Sequence, residues 1–181
     1  MNQMPVLKSE RLLLRPFKKS DADDVQKLAG NKDVAKTTIN IPYPYEDGMA
    51  EEWMSSHEKE YKNGNSLTLA ITHKKRKYLI GAISLSIQQK FNRAEMGYWI
   101  GKKYWNNGYC TEAAFKMTAF GFEKLELHKI YATHIKENPS SGKVMQKIGM
   151  KKEGLLREHV IKWGEYKDLI QYGILKREFK Y

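Results

Sequence analysis

Residues 94–114, Ala-Glu-Met-Gly-Tyr-Trp-Ile-Gly-Lys-Lys-Tyr-Trp-Asn-Asn-Gly-Tyr-Cys-Thr-Glu-Ala-Ala, carry the densest chemistry in this chain. Asn106, Asn107 and Gly108 signal a polar turn. From Thr111 onward, Ala113, Ala114, Met117, Ala119 and Phe120 supply an apolar helical face. A helix that starts straight from a turn leaves its first N–H groups unpaired, and that end carries partial positive charge. The spacing therefore predicts a phosphate-binding turn. Cys110 falls at the same helix end, where a thiolate would be stabilised, so a nucleophilic cysteine is a second chemistry to weigh. The five histidines have no metal-ligand spacing and Cys110 has no partner cysteine, so neither a metal site nor a disulfide framework is expected.

These residues need elements to hold them. Met96, Tyr98 and Ile100 alternate with Glu95, Gly97 and Trp99, which predicts a strand leading into the turn. Leu12 and Leu14 predict a first strand over 11–16. Ser20 with Asp23 reads as a helix start, with Val25, Leu28 and Ala29 on the buried face. Residues 41–45, with Pro42 and Pro44, must be a loop. A longer helix is expected over 46–63, ended by Gly64. Strands over 67–72 and 78–87 flank a basic turn at 74–77. A strand over 129–135 precedes a helix over 138–148, closed by Gly149. Strands over 155–162 and 167–175 form a hairpin around Trp163-Gly164. Helices scattered among strands and hairpins predict an α/β or α+β layer fold.

With 181 residues, 41% hydrophobic and 29% charged, the chain suits a single soluble domain over 1–181. No apolar run approaches a membrane span, and the first residues lack the apolar core of a signal peptide, so a cytoplasmic location is expected. The formal net charge of +11 suits phosphates, an acidic protein or RNA as partner, and equally plain solubility. The basic residues are scattered and form no recognisable nucleic-acid-binding motif.

The run Glu95-Met-Gly-Tyr-Trp-Ile-Gly, followed by Tyr104-Trp-Asn-Asn-Gly-Tyr-Cys-Thr-Glu-Ala, resembles the acetyl-coenzyme A motif of the GNAT N-acetyltransferases. The closest likeness is to the ribosomal-protein-alanine N-acetyltransferase branch. Asn138-Pro-Ser-Ser-Gly-Lys-Val-Met-Gln-Lys-Ile-Gly-Met resembles that branch's second signature, and Glu153-Gly and Glu10-Arg-Leu-Leu-Leu-Arg-Pro match two more segments. The resemblance implies a mixed, twisted sheet flanked by helices and splayed between its fourth and fifth strands, with acetyl-CoA in the cleft. It assigns the pantetheine arm to the backbone at Ile100, Gly101 and Lys102. The pyrophosphate goes to Trp105, Asn106, Asn107, Gly108, Tyr109, Cys110 and Thr111, with Asn138 as helix cap and pantetheine partner. Two positions depart from the broad motif: Trp105 replaces Gln or Arg, and Cys110 replaces Gly or Ala.

The implied reaction is direct attack of a neutral amine on the thioester, with acetyl-CoA as co-substrate. An α-amine of pKa ~8 is roughly one-tenth neutral at pH 7, whereas a lysine side chain at ~10.4 is neutral about once in 2,500 molecules. A weak base acting through water therefore suffices for a protein N-terminus. Glu95 is the candidate base and Ser141, one turn beyond Asn138, the candidate proton donor to the thiolate. A solvated strand glutamate and a first-turn helix serine are the plain alternatives. Some enzymes of the branch carry a glutamate after Glu153-Gly, where this chain has Val160. Alternation would send neighbouring Glu158 and His159 to opposite faces. Tyr43, Tyr45, Trp53 and Trp163 could wall an acceptor pocket, or serve the core or a homodimer contact. The amine is expected to be the N-terminus of a ribosomal protein. The alternatives are a small-molecule amine such as a polyamine or antibiotic, and a non-catalytic CoA-binding or RNA-associated role.

Overall fold

Eight strands make one sheet in the computed structural model, which describes residues 3–181. They are β1 (Leu7–Lys8), β2 (Leu12–Arg15), β3 (Ser66–His73), β4 (Leu79–Gln88), β5 (Arg93–Ile100), β6 (Lys129–Ile135), β7 (Lys151–Lys162) and β8 (Glu165–Leu175). The order is β1-β2-β3-β4-β5-β6-β8-β7. Every pairing is antiparallel except β5–β6, which is parallel. That one parallel contact needs a crossover, and the helix between the two strands supplies it.

The helices are α1 (Ala22–Ala29), α2 (Lys32–Thr37), α3 (Met49–Ser55), α4 (His57–Lys62), α5 (Tyr109–Glu123) and α6 (Pro139–Lys147). Two apolar clusters cover the two faces of the sheet. On one face Met96 and Ile100 of β5 join Met117 of α5 and Met145 of α6. On the other, Trp99 of β5 packs with Val25 and Leu28 of α1 and Ala50 of α3. Residues two apart on a strand share a face, so β5 sends 96, 98 and 100 one way and 95, 97 and 99 the other. The expected buried residues Leu12, Leu14, Val25 and Ala29 are indeed almost fully enclosed.

Local chemistry accounts for where the elements differ from the sequence expectations. The expected 46–63 helix is two helices. Ser55 and Ser56 turn their hydroxyls back onto the carbonyls of Glu52 and Trp53, at 2.7 and 3.3 Å, which weakens the helix there. The start comes at Met49, after Gly48 in a left-handed conformation. α1 begins at Ala22, because Asp21 rather than Ser20 accepts the Lys18 N–H at 2.7 Å. Asp21 also takes a two-pronged ion pair from Arg15 at 2.7 and 2.8 Å, tying the end of β2 to the start of α1. α2, capped by the Asn31 side chain, and the short β1 had no counterpart in the sequence expectations. The β7–β8 hairpin turns at Trp163 and Gly164, both with positive φ, as a two-residue turn matching strand twist requires.

Candidate active site

The sheet opens where β5 meets β6. Their ladder holds only Arg93 to Lys129, Ala94 to Ile130 and Glu95 to Tyr131. Beyond Glu95 the two strands part: β5 continues to Ile100 against β4, and β6 continues to Ile135 against β8. This is the expected splay, one strand later in the count because β1 precedes it. Gly101 donates its N–H to Ile80, at 2.9 Å, as the antiparallel β4 register requires. Alternation then turns the N–H and C=O groups of Tyr98 and Ile100 toward the gap. Of the three residues expected to pair with pantetheine, Ile100 therefore faces the opening. Gly101 has its N–H committed to β4, and the Lys102 side chain pairs with Asp33 on α2.

The turn after β5 feeds directly into α5. Asn106 and Gly108 both have positive φ, at 61 and 75°, and Gly108 is the N-cap of the helix. Glu112 N–H is the first to close onto the turn, on Gly108, so Tyr109, Cys110 and Thr111 direct their N–H groups out of the helix end. A side chain at Gly108 would meet Arg11 as well as strained backbone. The Asn107 side chain fixes the turn by donating to the carbonyls of Tyr104 and Trp105, at 3.1 and 2.8 Å. Trp105 donates its indole N–H to Ile100 at 2.7 Å and packs its ring against both cores. The departure at Trp105 thus closes the strand end with a ring instead of offering the turn a polar side chain.

Arg11, just before β2, braces this turn. Its guanidinium meets Glu112 at 2.7 Å, donates to Asn107 C=O at 3.0 Å and lies over the Tyr109 ring. Burial pushes the Glu112 carboxyl up, but hydrogen bonds from Arg11 and Ser9 outweigh it and hold the group below its usual range. Beside the turn runs a groove of about 610 Å³, lined by Gly108, Thr111 and Phe115 and flanked by Lys8, Lys116 and Lys147. Glu10 and Glu112 line it too and partly offset these cations, so the outward N–H groups carry much of the attraction for a phosphorylated ligand.

Glu95 occupies the last rung of the β5–β6 ladder, at the apex of the splay. Its carboxylate accepts from Thr133 at 3.1 Å, on the part of β6 that has already left β5. The Tyr131 hydroxyl, which accepts from Gln88 at 3.1 Å, lies near that carboxylate, and its pKa is raised by burial and then by the Glu95 charge. The Thr133 hydroxyl thus holds a half-buried carboxylate at the point where the strands separate.

Asn138, Ser141, Tyr98 and Cys110 gather on the other face of β5. The Asn138 side chain caps α6 by accepting from Ser141 N–H and donates to Thr37 C=O of α2 at 3.1 Å. Ser141 Oγ lies 2.9 Å from the Tyr98 hydroxyl, which also donates to Ser141 C=O at 3.1 Å. Burial, and then nearby Cys110, push the Tyr98 phenol far above its usual range. Tyr98 was expected only as an apolar strand residue, and its place opposite Ser141 depends on how α6 packs. Burial also pushes the Cys110 thiol well up, so it is protonated at neutral pH despite the helix end. A thiol in that state is a poor nucleophile.

The acceptor-side aromatics divide into separate groups. Tyr43 and Trp163 face each other at 6.1 Å. Trp53 packs instead with Phe17 and His57, at 5.2 and 4.5 Å, and Tyr45 packs against the α1–α3 cluster. Burial lowers the His57 pKa to about 4, so it is neutral at pH 7. Val160 sits just past a bulge in β7, where pairing jumps from Leu156–Leu169 to Val160–Lys167. The bulge breaks the alternation expected at Glu158 and His159, and both are exposed. The Asp168 carboxylate accepts the Glu158 N–H at 3.0 Å and so stabilises the bulge.

A sheet splayed beside a helix whose free N–H groups meet the gap defines a transferase that handles a diphosphate-bearing acyl thioester. The chain belongs to the GNAT acetyltransferase family: the family model described as acetyltransferase (GNAT) domain matches residues 11–151. It is an N-acetyltransferase of the acetyl-CoA-dependent GNAT type. It is 32% identical to the N-acetyltransferase p20 of Bacillus licheniformis over 178 residues, 97% of this chain and 99% of the relative. A solved GNAT-family acetyltransferase from Bacillus anthracis superposes with a TM-score of 0.85 at 29% identity, covering 96% of this chain and all of that one. Two more distant relatives have named acceptors. The ribosomal protein uS5-alanine N-acetyltransferase of Escherichia coli is 24% identical over 110 residues, 60% of this chain and 57% of the relative. The spermidine N(1)-acetyltransferase of Vibrio cholerae is 25% identical over 172 residues, 94% of this chain and 96% of the relative. No helix among the described residues is long and apolar enough to cross a membrane.

Proposed function

We propose that this chain acetylates the N-terminal α-amine of a protein, ribosomal proteins being the leading class, by direct transfer from acetyl-CoA in a ternary complex. The observation that carries this reading is Glu95 at the apex of the splay, held by Thr133 and close to the Tyr131 hydroxyl. Glu95 takes the proton that the attacking amine sheds, through water, as the amine forms its bond to the carbonyl carbon. The carbon–sulfur bond breaks, and Ser141, hydrogen-bonded to the neutral Tyr98 phenol, supplies a proton to the departing thiolate. The turn over 105–111 binds the diphosphate through backbone N–H groups, and the edge of β5 at Tyr98 and the Ile100 N–H, the Ile100 carbonyl being taken by Trp105, pairs with the pantetheine arm.

The cations at the acceptor side favour a protein over a polyamine. Lys32 lies over the Tyr43 ring at 5.8 Å and Lys162 over the Trp163 ring at 5.2 Å. A polyamine would find both ring faces approached by the chain's own ammonium groups, whereas an acidic polypeptide would be attracted. A small-amine acceptor is the second reading, favoured by the nearly full-length likeness to a spermidine acetyltransferase. Coenzyme A release measured across N-terminal peptides, spermidine and other small amines separates them. Turnover on peptides with none on spermidine is the expected result, and the reverse would move the acceptor to small amines. Tight acetyl-CoA binding without turnover on any amine would overturn catalysis by this site.

A covalent route through Cys110 is disfavoured by its partly buried thiol, which desolvation keeps protonated. Cys110→Ala should keep kcat within about threefold of wild type, and both should give intersecting double-reciprocal lines. Parallel lines lost in the variant would instead make Cys110 the acetyl carrier.

A further inference from the structure

One buried ammonium group does more than approach a ring face. Lys162, the last residue of β7, is only 8% exposed. Its Nζ donates to the carbonyls of Ile39 and Ile41, at 3.2 and 2.8 Å, in the loop between α2 and α3. Among the described residues no carboxylate pairs with it. A buried ammonium group without its hydration shell must find acceptors, and here both are main-chain oxygens of one loop.

That loop belongs to a segment tied to both lips of the splayed sheet. At the β5 lip, Asp33 of α2 pairs with Lys102, and Ile41 and Tyr45 pack against the cluster containing Trp99. At the other lip, Thr37 C=O accepts from Asn138 at the start of α6, and Tyr43 meets Trp163 at a tilt at the hairpin tip. The segment over 32–45 therefore bridges the halves that part beyond Glu95. Its backbone takes two hydrogen bonds from a single side chain of the opposite half, so that side chain decides where the loop rests.

We propose that Lys162 is a positioning residue that latches the α2–α3 loop across the mouth of the splay, forming the wall against which the acceptor amine is oriented. The acceptor half of this inference rests on the transferase reading above, and the latch itself does not. Burial lowers the Lys162 pKa, in keeping with an ammonium group held by two carbonyls and a ring face, with no carboxylate beside it among the described residues. Because Asn138 holds the same segment from the donor side, the latch also fixes the acceptor wall relative to the thioester.

Lys162→Met keeps most of the aliphatic stem and removes the donors, while Lys162→Arg keeps donors and charge. Amide hydrogen exchange read by mass spectrometry should rise at least about tenfold over 38–45 in the methionine variant. Exchange in β3 and β4 should stay at wild-type rates, which shows the variant is folded. In steady state, with an alanine-initiated tetrapeptide and spermidine as alternative acceptors, KM for whichever turns over should rise about tenfold. KM for acetyl-CoA should stay within about twofold, and the arginine variant should recover part of both losses. Unchanged exchange over 38–45 would overturn the latch. Raised exchange with an unchanged acceptor KM would overturn its role in orienting the amine. If wild type turns over neither acceptor, the reading of the acceptor fails, while raised exchange over 38–45 still supports the latch.

Discussion

Glu95→Gln is expected to lower kcat by about 10²-fold at pH 7, with KM for acetyl-CoA changed by less than about twofold. Glutamine keeps the shape and an acceptor oxygen for Thr133, which donates to the carboxylate at 3.1 Å, so the apex of the splay should keep its geometry. What it loses is the ability to take a proton. The sign with pH follows from the amine. An α-amine of pKa ~8 is roughly one-tenth neutral at pH 7 and roughly nine-tenths neutral at pH 9. A variant without a base depends on amine that is already neutral, so its deficit should shrink as the pH rises across that interval. A loss that stays constant from pH 7 to 9, or a kcat within about threefold of wild type, would make Glu95 a plain strand carboxylate. Thr133→Val supplies a second test. It leaves Glu95 titratable but removes one partner, and should lower kcat by less than Glu95→Gln does.

The largest effect on stability is expected from Asp21→Asn. The Asp21 carboxylate is 7% exposed, and Arg15 donates to both its oxygens. Removing the negative charge leaves a nearly buried guanidinium unpaired, a change that costs about 3–5 kcal/mol in comparable pairs. For a chain of this length that is a fall in Tm of about 10 °C. Burial alone would raise the Asp21 pKa, but the bonds from Arg15 and the Lys18 N–H and the nearby positive charges hold it below its usual value. A carboxyl depressed in the folded state adds stability that is complete above its unfolded value, ~3.9, and is lost as pH falls through the folded value. The gap between wild type and variant should therefore be full at pH 6–7 and close below about pH 4. Arg15→Met combined with Asp21→Asn should be more stable than Asp21→Asn alone, because no charge is left buried. A single variant within about 1 kcal/mol of wild type at pH 7 would show that water, not Asp21, neutralises Arg15.

The donor side was largely legible because its chemistry is local. Asn106, Asn107 and Gly108 mark a turn by their own backbone preferences, and the apolar period from Thr111 marks the helix that follows. A helix end offers free N–H groups whatever the rest of the chain does, so a phosphate-binding turn can be read from neighbours alone. The strand over 129–135 and the hairpin around Trp163-Gly164 were legible for the same reason. Where a single side chain changed the outcome, reading failed: Ser55 and Ser56 split one expected helix, and a bulge beside Val160 broke the alternation used for Glu158 and His159.

By itself, then, the sequence determined the family, most of the order of the elements and the turn that opens α5, since these follow from motifs and from contacts between residues close in the chain. Only the tertiary structure decided that the β5–β6 ladder stops at Glu95 and that Thr133 holds its carboxylate. The same holds for Tyr98 meeting Ser141, and for Lys162 reaching Ile39 and Ile41 from far along the chain. The burial that keeps the Cys110 thiol protonated is likewise tertiary. Hydrogen-bond partners and desolvation depend on which distant segments pack together, and no spacing along a single chain encodes that directly.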